Sequence, residues 1–243
     1  MQASKLYSVD AADVHVWCAS SHDFEAWDSL EAVMSPSEKE TARRFRHTEN
    51  RLVYQLAHGL LRHLLARYLD CNPAKLEFSR EEHGKPCLTT RDLNFNLSHS
   101  GDNVAIAIAR SAVGVDIEKI KIKQIEADLI RTCLTASEQR WLCADIEDSQ
   151  RRFFRLWTLK EATLKADGRG LGIGCHDAEL AMSADEDAAT VVIEHARWKA
   201  YGLPVGREYC LAVAAREIRN IELRMVRHTD NLELARTIKV KPQ

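Results

Sequence analysis

Phe95-Asn96-Leu97-Ser98-His99-Ser100-Gly101-Asp102-Asn103-Val104-Ala105-Ile106-Ala107-Ile108-Ala109, followed after a short link by Val113-Gly114-Val115-Asp116-Ile117-Glu118, is the stretch on which the architecture of this chain turns. Its spacing predicts three strands and two turns. Phe95 and Leu97 alternate with polar neighbours, Val104, Ile106 and Ile108 alternate with alanines, and Gly101-Asp102 interrupts the run where a hairpin needs positive φ. Small alanines between large aliphatics predict a sheet covered on both faces. The third strand ends on Asp116 and Glu118, two residues apart, so both carboxylates leave one face while Ile117 points to the core. Two acids side by side on rigid backbone repel each other, and a divalent cation between them relieves the repulsion. Hard oxygen donors with few imidazoles or thiolates beside them favour magnesium over zinc; a strand end in solvent is the plainer alternative.

Upstream of this block, Val14-His15-Val16-Trp17 alternates like a strand and Phe24 to Met34 has the spacing of a short helix. Ser35-Pro36-Ser37-Glu38 is a helix start: Ser35 caps, Pro36 suits the first helical position, and Glu38 completes a capping box. That helix carries Arg43, Arg44 and Arg46. A longer one follows, with Leu52, Leu56, Leu60, Leu64 and Tyr68 at fourfold spacing beside Val53, Ala57, Leu61 and Leu65, a wide stripe that belongs to the core. Asp70-Cys71-Asn72-Pro73 ends it, Leu76-Glu77-Phe78 reads as a strand, and Glu82-His83-Gly84-Lys85-Pro86 is a turn presenting Lys85. Gly84-Lys85 is not a phosphate-binding P-loop, because no upstream glycine stands at the required distance and proline follows. On local grounds alone Lys85 reads as a solvated turn lysine.

Downstream, the charged run Lys119-Ile120-Lys121-Ile122-Lys123 marks the expected boundary between an N-terminal half, 1–118, and a C-terminal half, 119–243. Gln124 to Cys133 reads as helical, and Thr135-Ala136-Ser137-Glu138 is a second capping box whose helix reaches Ala144. In the helix from Gln150 to Asp167, Phe154, Trp157, Glu161 and Leu164 share one face, which is expected to pack, with Lys165 one turn beyond Glu161. A partly buried acid there needs a partner such as a metal, whereas a surface pair of Glu161 with Lys165 is worth only a few tenths of a kcal/mol, about 0.3. The alternating Gly168, Gly170, Gly172 and Gly174 read as a helix exit near a ligand or partner, since the strand-before, helix-after setting of a dinucleotide fingerprint is missing. Val191-Val192-Ile193, Tyr209 to Ala215 and Ile221 to Val226 read as strands of a second sheet, and residues 232–243, with Lys239, Lys241 and Pro242, as loosely held. No sequence repeat is expected.

Composition narrows the classes. The 243 residues are 45% hydrophobic and 29% charged, with formal net charge -2 and pI near 6.6, an ordinary soluble globular balance with no field for nucleic acid or an anionic membrane. No apolar run reaches membrane-spanning length and the first residues lack a signal-peptide pattern, so a cytoplasmic protein is expected. The seven cysteines (Cys18, Cys71, Cys87, Cys133, Cys143, Cys175, Cys210) are odd in number and scattered, which argues for reduced core residues over disulfides or a thiolate zinc site.

Taken together, Val113-Gly114-Val115-Asp116-Ile117-Glu118 and Trp157-Thr158-Leu159-Lys160-Glu161-Ala162 with Lys165 resemble the signature pair of the phosphopantetheinyl transferase superfamily. Asn96-Leu97-Ser98-His99-Ser100 and Gly84-Lys85-Pro86 look like further motifs of its Sfp-type branch, and the resemblance spans residues 35–175. It implies an α+β monomer, a pseudo-twofold arrangement of two similar halves, each a small sheet on a long helix, with coenzyme A in the cleft between them. It also implies transfer of the 4'-phosphopantetheine arm of coenzyme A to a serine of an apo acyl or peptidyl carrier protein, releasing adenosine 3',5'-bisphosphate. By that resemblance Asp116, Glu118 and Glu161 hold Mg2+, Glu161 or a metal-bound water takes the serine proton, and Lys165 stabilises the departing phosphate. Ser98 and His99 contact a coenzyme A phosphate and Lys85 lies near the adenine nucleotide end.

The chain also departs from the pattern. Where the best-known members have lysines after the Ser-Pro start, Glu38 and Thr41 stand here, so Arg43, Arg44 or Arg51 is left to grip phosphate, with Arg44 and Arg51 carried as the candidates. Carrier docking is expected on Ile120 to Leu134 and the adjacent rim. Two other classes fit part of the pattern: a metal-dependent phosphodiesterase, which would need an activated water and more ligands than are found, and a non-catalytic carrier-binding module, which would not need all three acids.

Overall fold

The computed structural model of the chain describes residues 7–24, 27–120, 125–145, 148–169, 174–183, 187–228 and 233–240. The first segments are strand β1 (Asp13–Ser20) and helices α1 (Trp27–Val33), α2 (Pro36–Arg43) and α3 (Thr48–Leu69). A small hairpin of β2 (Phe78–Arg80) and β3 (Pro86–Leu88) then leads to β4 (Asn94–Ser100), β5 (Asn103–Ala109) and β6 (Val113–Lys119). Helices α4 (Ala127–Cys133), α5 (Ala136–Cys143) and α6 (Ser149–Asp167) follow. Strands β7 (Ala178–Met182), β8 (Ala188–Ile193), β9 (Ala196–Leu203), β10 (Tyr209–Ala215), β11 (Asn220–His228) and β12 (Glu233–Val240) close the chain.

Four layers result. The first sheet has the order β12-β11-β1-β5-β4 and the second β6-β10-β9-β8-β7. On β5, Val104, Ile106 and Ile108 pack on Leu56, Leu60 and Leu64 of α3, while Ala105, Ala107 and Ala109 join Val113, Val115 and Ile117 of β6 between the sheets. The outer face of the second sheet carries α6, whose Leu156, Leu159 and Ala162 meet Val191, Ile193 and Ala212. Burying these aliphatic side chains contributes about 1.5–3 kcal/mol each, which is why the expected α+β arrangement of one sheet per long helix forms.

Several local expectations change under tertiary packing. β6 does not extend the sheet of β4 and β5 but pairs antiparallel with β10 in the second sheet. Ile221 to Val226 belongs to the first sheet, where β11 lies parallel to β1, and residues 233–240 form a strand on β11 instead of a loose end. Backbone donors and acceptors at a sheet edge find partners wherever a strand can reach them, so the terminus is captured. Leu76 only follows a short 3-10 turn at Pro73–Lys75, and the strand begins at Phe78. The buried face of α6 centres on Leu156, Leu159, Ala162 and Thr163, leaving Phe154, Trp157 and Glu161 half-buried beside it. Cys71 and Cys143 are exposed and Cys175 half-buried, whereas Cys18, Cys87, Cys133 and Cys210 are buried as expected, and all seven are free. Lys121, Ile122, Lys123, Gln124, Gly170, Gly172 and Lys241 lie outside the described residues, and no described helix is long and apolar enough to cross a membrane.

Candidate active site

The site forms where the open edge of β6 meets β4. Because strand side chains alternate, Asn96, Ser98 and Ser100 leave the same face of β4, and each accepts a hydrogen bond from the backbone of β6. Val115 N–H donates to Asn96 Oδ1 at 2.9 Å, Ile117 N–H to Ser98 Oγ at 3.3 Å, and Lys119 N–H to Ser100 Oγ at 3.1 Å. Three side chains thus do for β6 what a neighbouring strand's carbonyls do elsewhere. The two hydroxyls then donate onward, Ser98 Oγ to Asp116 Oδ1 at 2.9 Å and Ser100 Oγ to Glu118 Oε2 at 2.7 Å.

Helix α6 supplies the opposite wall. A Cβ on Gly114 would sit 2.0 Å from the Ala162 carbonyl oxygen and 2.4 Å from Ala166 N, so only glycine lets the helix backbone lie directly on β6. The neighbours of β6 on β10, Ala212 and Ala214, are small for the same reason. This approach brings Lys165 onto the acids: its Nζ donates to Asp116 Oδ1 at 2.6 Å and to Ser98 Oγ at 3.0 Å. Lys165 thus forms a cross-element pair with Asp116 instead of the plainer surface pair with Glu161, and is occupied by that acid rather than facing outward to a phosphate. Glu161 stands half-buried one turn before it.

Electrostatics mark the acids. Burial pushes the Asp116 carboxyl up to about 6, with Lys165 and Ser98 drawing it down and the Glu118 charge adding to the rise. Asp116 Oδ2 is buried and has no hydrogen-bond partner. Burial likewise raises Glu161, against the pull of Lys165 and with a further push from Glu118. Among the described residues no three His, Cys, Asp or Glu side chains already converge on one point. The donor set nevertheless fits a magnesium ion, because the orphaned oxygen of Asp116, its same-face neighbour Glu118 and the raised carboxylate of Glu161 are hard oxygen donors whose mutual repulsion a divalent cation would offset.

The other expected residues are more dispersed. His99, on the opposite face of β4 from Ser98, is exposed; desolvation by surrounding protein, then the positive charges of Lys165 and His58, hold its imidazole below the usual value, against the Glu118 charge. Ser98 is buried with its hydroxyl fully engaged, a structural rung before it is anything else. Lys85 is not solvated: its Nζ donates to the Val113 carbonyl at 3.0 Å and the Ala166 carbonyl at 3.3 Å, tying the start of β6 to the end of α6. Arg43, Arg44 and Arg51 are exposed around the junction of α2 and α3, with Arg44 Nε 3.4 Å from Glu40. Beside them a cleft of about 1010 Å³ opens between α2, α3, the β2–β3 hairpin and β4, lined by Glu38, Thr41, Tyr54, His58, Arg80 and Leu97 among others and by none of the three arginines. Glu38, one of the two residues at the places expected to grip phosphate, instead closes its capping box and pairs with buried Arg62 at 2.8 Å. Asn96 and Ser100 carry no assigned role in the sequence motifs, although their alternation with Ser98 puts a polar residue at every second place of the strand.

Comparison with known proteins bears on this arrangement. The sequence pattern of the 4'-phosphopantetheinyl transferase superfamily matches residues 112–214, and that of the N-terminal region of 4'-phosphopantetheinyl transferases matches residues 15–111. The chain is similar to 4'-phosphopantetheinyl transferase Sfp of Bacillus subtilis (strain 168), 34% identical over 156 residues that span 63% of this chain and 69% of the relative. It is similar to 4'-phosphopantetheinyl transferase HetI of Nostoc sp., 33% identical over 183 residues covering 72% and 77% of the two chains. Among solved structures, the holo-[acyl-carrier-protein] synthase of Thermotoga maritima aligns with a TM-score of 0.37 at 22% identity, over 45% of this chain and 64% of that one. Matched in order through both sheets and by relatives along most of its length, this chain belongs to the 4'-phosphopantetheinyl transferase superfamily.

Proposed function

We propose that this protein transfers the 4'-phosphopantetheine arm of coenzyme A to a serine hydroxyl of an apo acyl or peptidyl carrier protein, with Mg2+ as its metal. One observation carries the reading: in a chain of this family, Asp116 on β6 keeps a buried, unpartnered carboxylate oxygen with Glu118 two residues on along the same face, under a helix that sets Lys165 on the other Asp116 oxygen and Glu161 within electrostatic reach of Glu118. When bound, Mg2+ would polarise the attacked phosphoryl group and neutralise pyrophosphate charge, held by Asp116, Glu118 and Glu161. The chain's own groups do the rest. In the transfer, the serine oxygen forms a bond to the phosphorus that carries pantetheine, and the bond from that phosphorus to the oxygen of the adenosine 3',5'-bisphosphate breaks. Glu161, whose carboxyl burial raises, or a metal-bound water would take the serine proton. Lys165 lies within reach to offset charge on the departing phosphate once it leaves Asp116. The cleft beside β4 is the proposed seat of the coenzyme A nucleotide, with His99, Arg44 and Arg51 outside its lining as the proposed phosphate contacts; Lys85, with one N–H left over, and Ser98 hold β6 in place. A monomer working in the cytoplasm, where coenzyme A is found, is part of the same proposal, with carrier contact along α4 and the adjacent rim.

The reading is tested by incubating the protein with coenzyme A, Mg2+ and several apo carrier proteins and weighing the carriers. At least one carrier gains a single phosphopantetheine at its serine, with adenosine 3',5'-bisphosphate formed in equal amount; chelator abolishes this, and Glu161→Gln nearly does. Coenzyme A cleaved equally fast without a carrier would point to a phosphodiesterase, and coenzyme A binding indifferent to Mg2+ with no turnover would point to a binding module.

A further inference from the structure

The Gly101-Asp102 turn between β4 and β5 leaves the first sheet and lands on the second. Asp102 Oδ1 accepts a hydrogen bond from the Tyr209 hydroxyl at 2.5 Å, and Oδ2 accepts one from Ser20 Oγ at 2.9 Å. Lys119 Nζ lies 3.7 Å from Oδ1 and 5.6 Å from the centre of the Tyr209 ring. Gly101, at φ 58, lets the turn close this far, since a Cβ there would stand 2.8 Å from the tyrosine oxygen. Tyr209 on β10 is the register partner of Lys119 on β6, and the next pair is Cys210 with Glu118.

Ser100 immediately precedes this turn. It is the rung that accepts the Lys119 N–H and donates to Glu118 Oε2. Glu118 is half-buried with several free torsions, so its orientation depends on that hydroxyl, and the hydroxyl depends on where the turn is held. We propose that Tyr209 and Asp102 are positioning residues for the transfer reaction: by pinning the β4–β5 turn to β10 they hold Ser100 on Glu118 and keep that carboxylate turned toward the magnesium site. A phenol donating to a carboxylate is a charge-assisted bond, strong enough to act as a tether at a turn with little apolar packing of its own. The inference rests on the transferase reading and adds to it a determinant of metal affinity outside the ligands themselves.

The test is Mg2+ binding to the complex of protein and coenzyme A by calorimetry, alongside the Mg2+ concentration giving half-maximal transfer. Tyr209→Phe, which keeps the ring and removes only the donor, weakens Mg2+ by about three- to tenfold while the KM for coenzyme A stays put. Ser100→Ala gives a comparable shift, and the double variant adds little to either. Asp102→Asn, whose amide oxygen still accepts from the phenol without the charge, falls between. A Tyr209→Phe variant that melts earlier yet binds Mg2+ as the parent does would reduce the latch to a structural cross-link and overturn the proposal, as would shifts for Tyr209→Phe and Ser100→Ala that simply add. Because calorimetry reads metal without turnover, a parent protein that modifies no carrier sinks the transferase reading without deciding this one.

Discussion

In the first half of the chain Ser35 and Glu38 cap α2 and Glu38 reaches Arg62 of α3 at 2.8 Å; one hundred residues on, Thr135 and Glu138 cap α5 and Glu138 reaches Lys160 of α6 at 2.6 Å. Each cation then ties down the chain flanking its helix, Arg62 through the carbonyls of Pro73 and Leu76, Lys160 through those of Cys133 and Cys175. The strands that precede, β1 and β6, turn different residues toward these helices. β1 presents His15 and Trp17, with His15 Nδ1 2.5 Å from Tyr68 of α3, and the space is filled with aromatic rings. β6 presents Gly114, Asp116 and Glu118, and the space holds carboxylates under a close-lying helix backbone. One unit used twice thus gives a scaffold in both halves and a site in only one. The site arises where β6 keeps an edge free of a second strand, so that hydroxyls from β4 can reach it; on β1 that second edge is taken by β11.

The largest contrast is expected between Asp116 and Trp17. Asp116→Ala removes a metal-holding oxygen and lowers transfer on the order of a thousandfold, about 4 kcal/mol of barrier, while the protein still folds. Trp17→Ala opens a cavity in the matching layer and costs about 3–5 kcal/mol of stability without moving the KM for coenzyme A. Unfolding by urea together with carrier labelling separates the two, and an Asp116→Ala protein that is unstable but fully active would dissolve the contrast.

The paired cations sharpen it further. Lys160 and Glu138 are 0% and 2% exposed, so Lys160→Met strands a carboxylate in a sealed interior and costs about 3 kcal/mol. Arg62→Met leaves Glu38, 13% exposed at the cleft wall, able to take up water, and costs nearer 1–2 kcal/mol. Equal losses in denaturant titrations would mean that the cleft does not wet Glu38.

The smallest effect concerns pH. The folded Asp116 carboxyl is held at about 6, above its unfolded value, so its protonated form is favoured by folding: that contribution is complete below about pH 4 and lost as pH rises through 6. In metal-free protein Asp116→Asn should therefore raise stability at pH 7.5 by on the order of 1 kcal/mol and make no difference at pH 4. Protons and Mg2+ compete for the same oxygen, so apparent Mg2+ affinity falls as pH drops through 6, approaching tenfold per unit. Calorimetry from pH 5 to 8, roughly the range in which that competition operates, would show a flat affinity if Asp116 were not a ligand.

How much of this could be read in advance follows from the range of the forces involved. Strand alternation placed Asp116 and Glu118 on one face, capping chemistry started α2 and α5, and helical spacing set Lys165 one turn after Glu161; each depends on neighbours within a few residues. Even the repeat was present, as Ser35-x-Ser37-Glu38 and Thr135-x-Ser137-Glu138, though too few side chains persist elsewhere for the sequence to look duplicated. What local order could not supply was partnership. That β6 leaves the hairpin of β4 and β5 for β10, that β11 returns to lie parallel to β1, and that Lys85 and Ser98 spend their polar groups on the backbones of β6 and α6 all follow from which distant surfaces are buried together. A hydrogen-bonding group commits to whatever unsatisfied partner packing brings near it, and the identity of that partner exists only once the layers have closed.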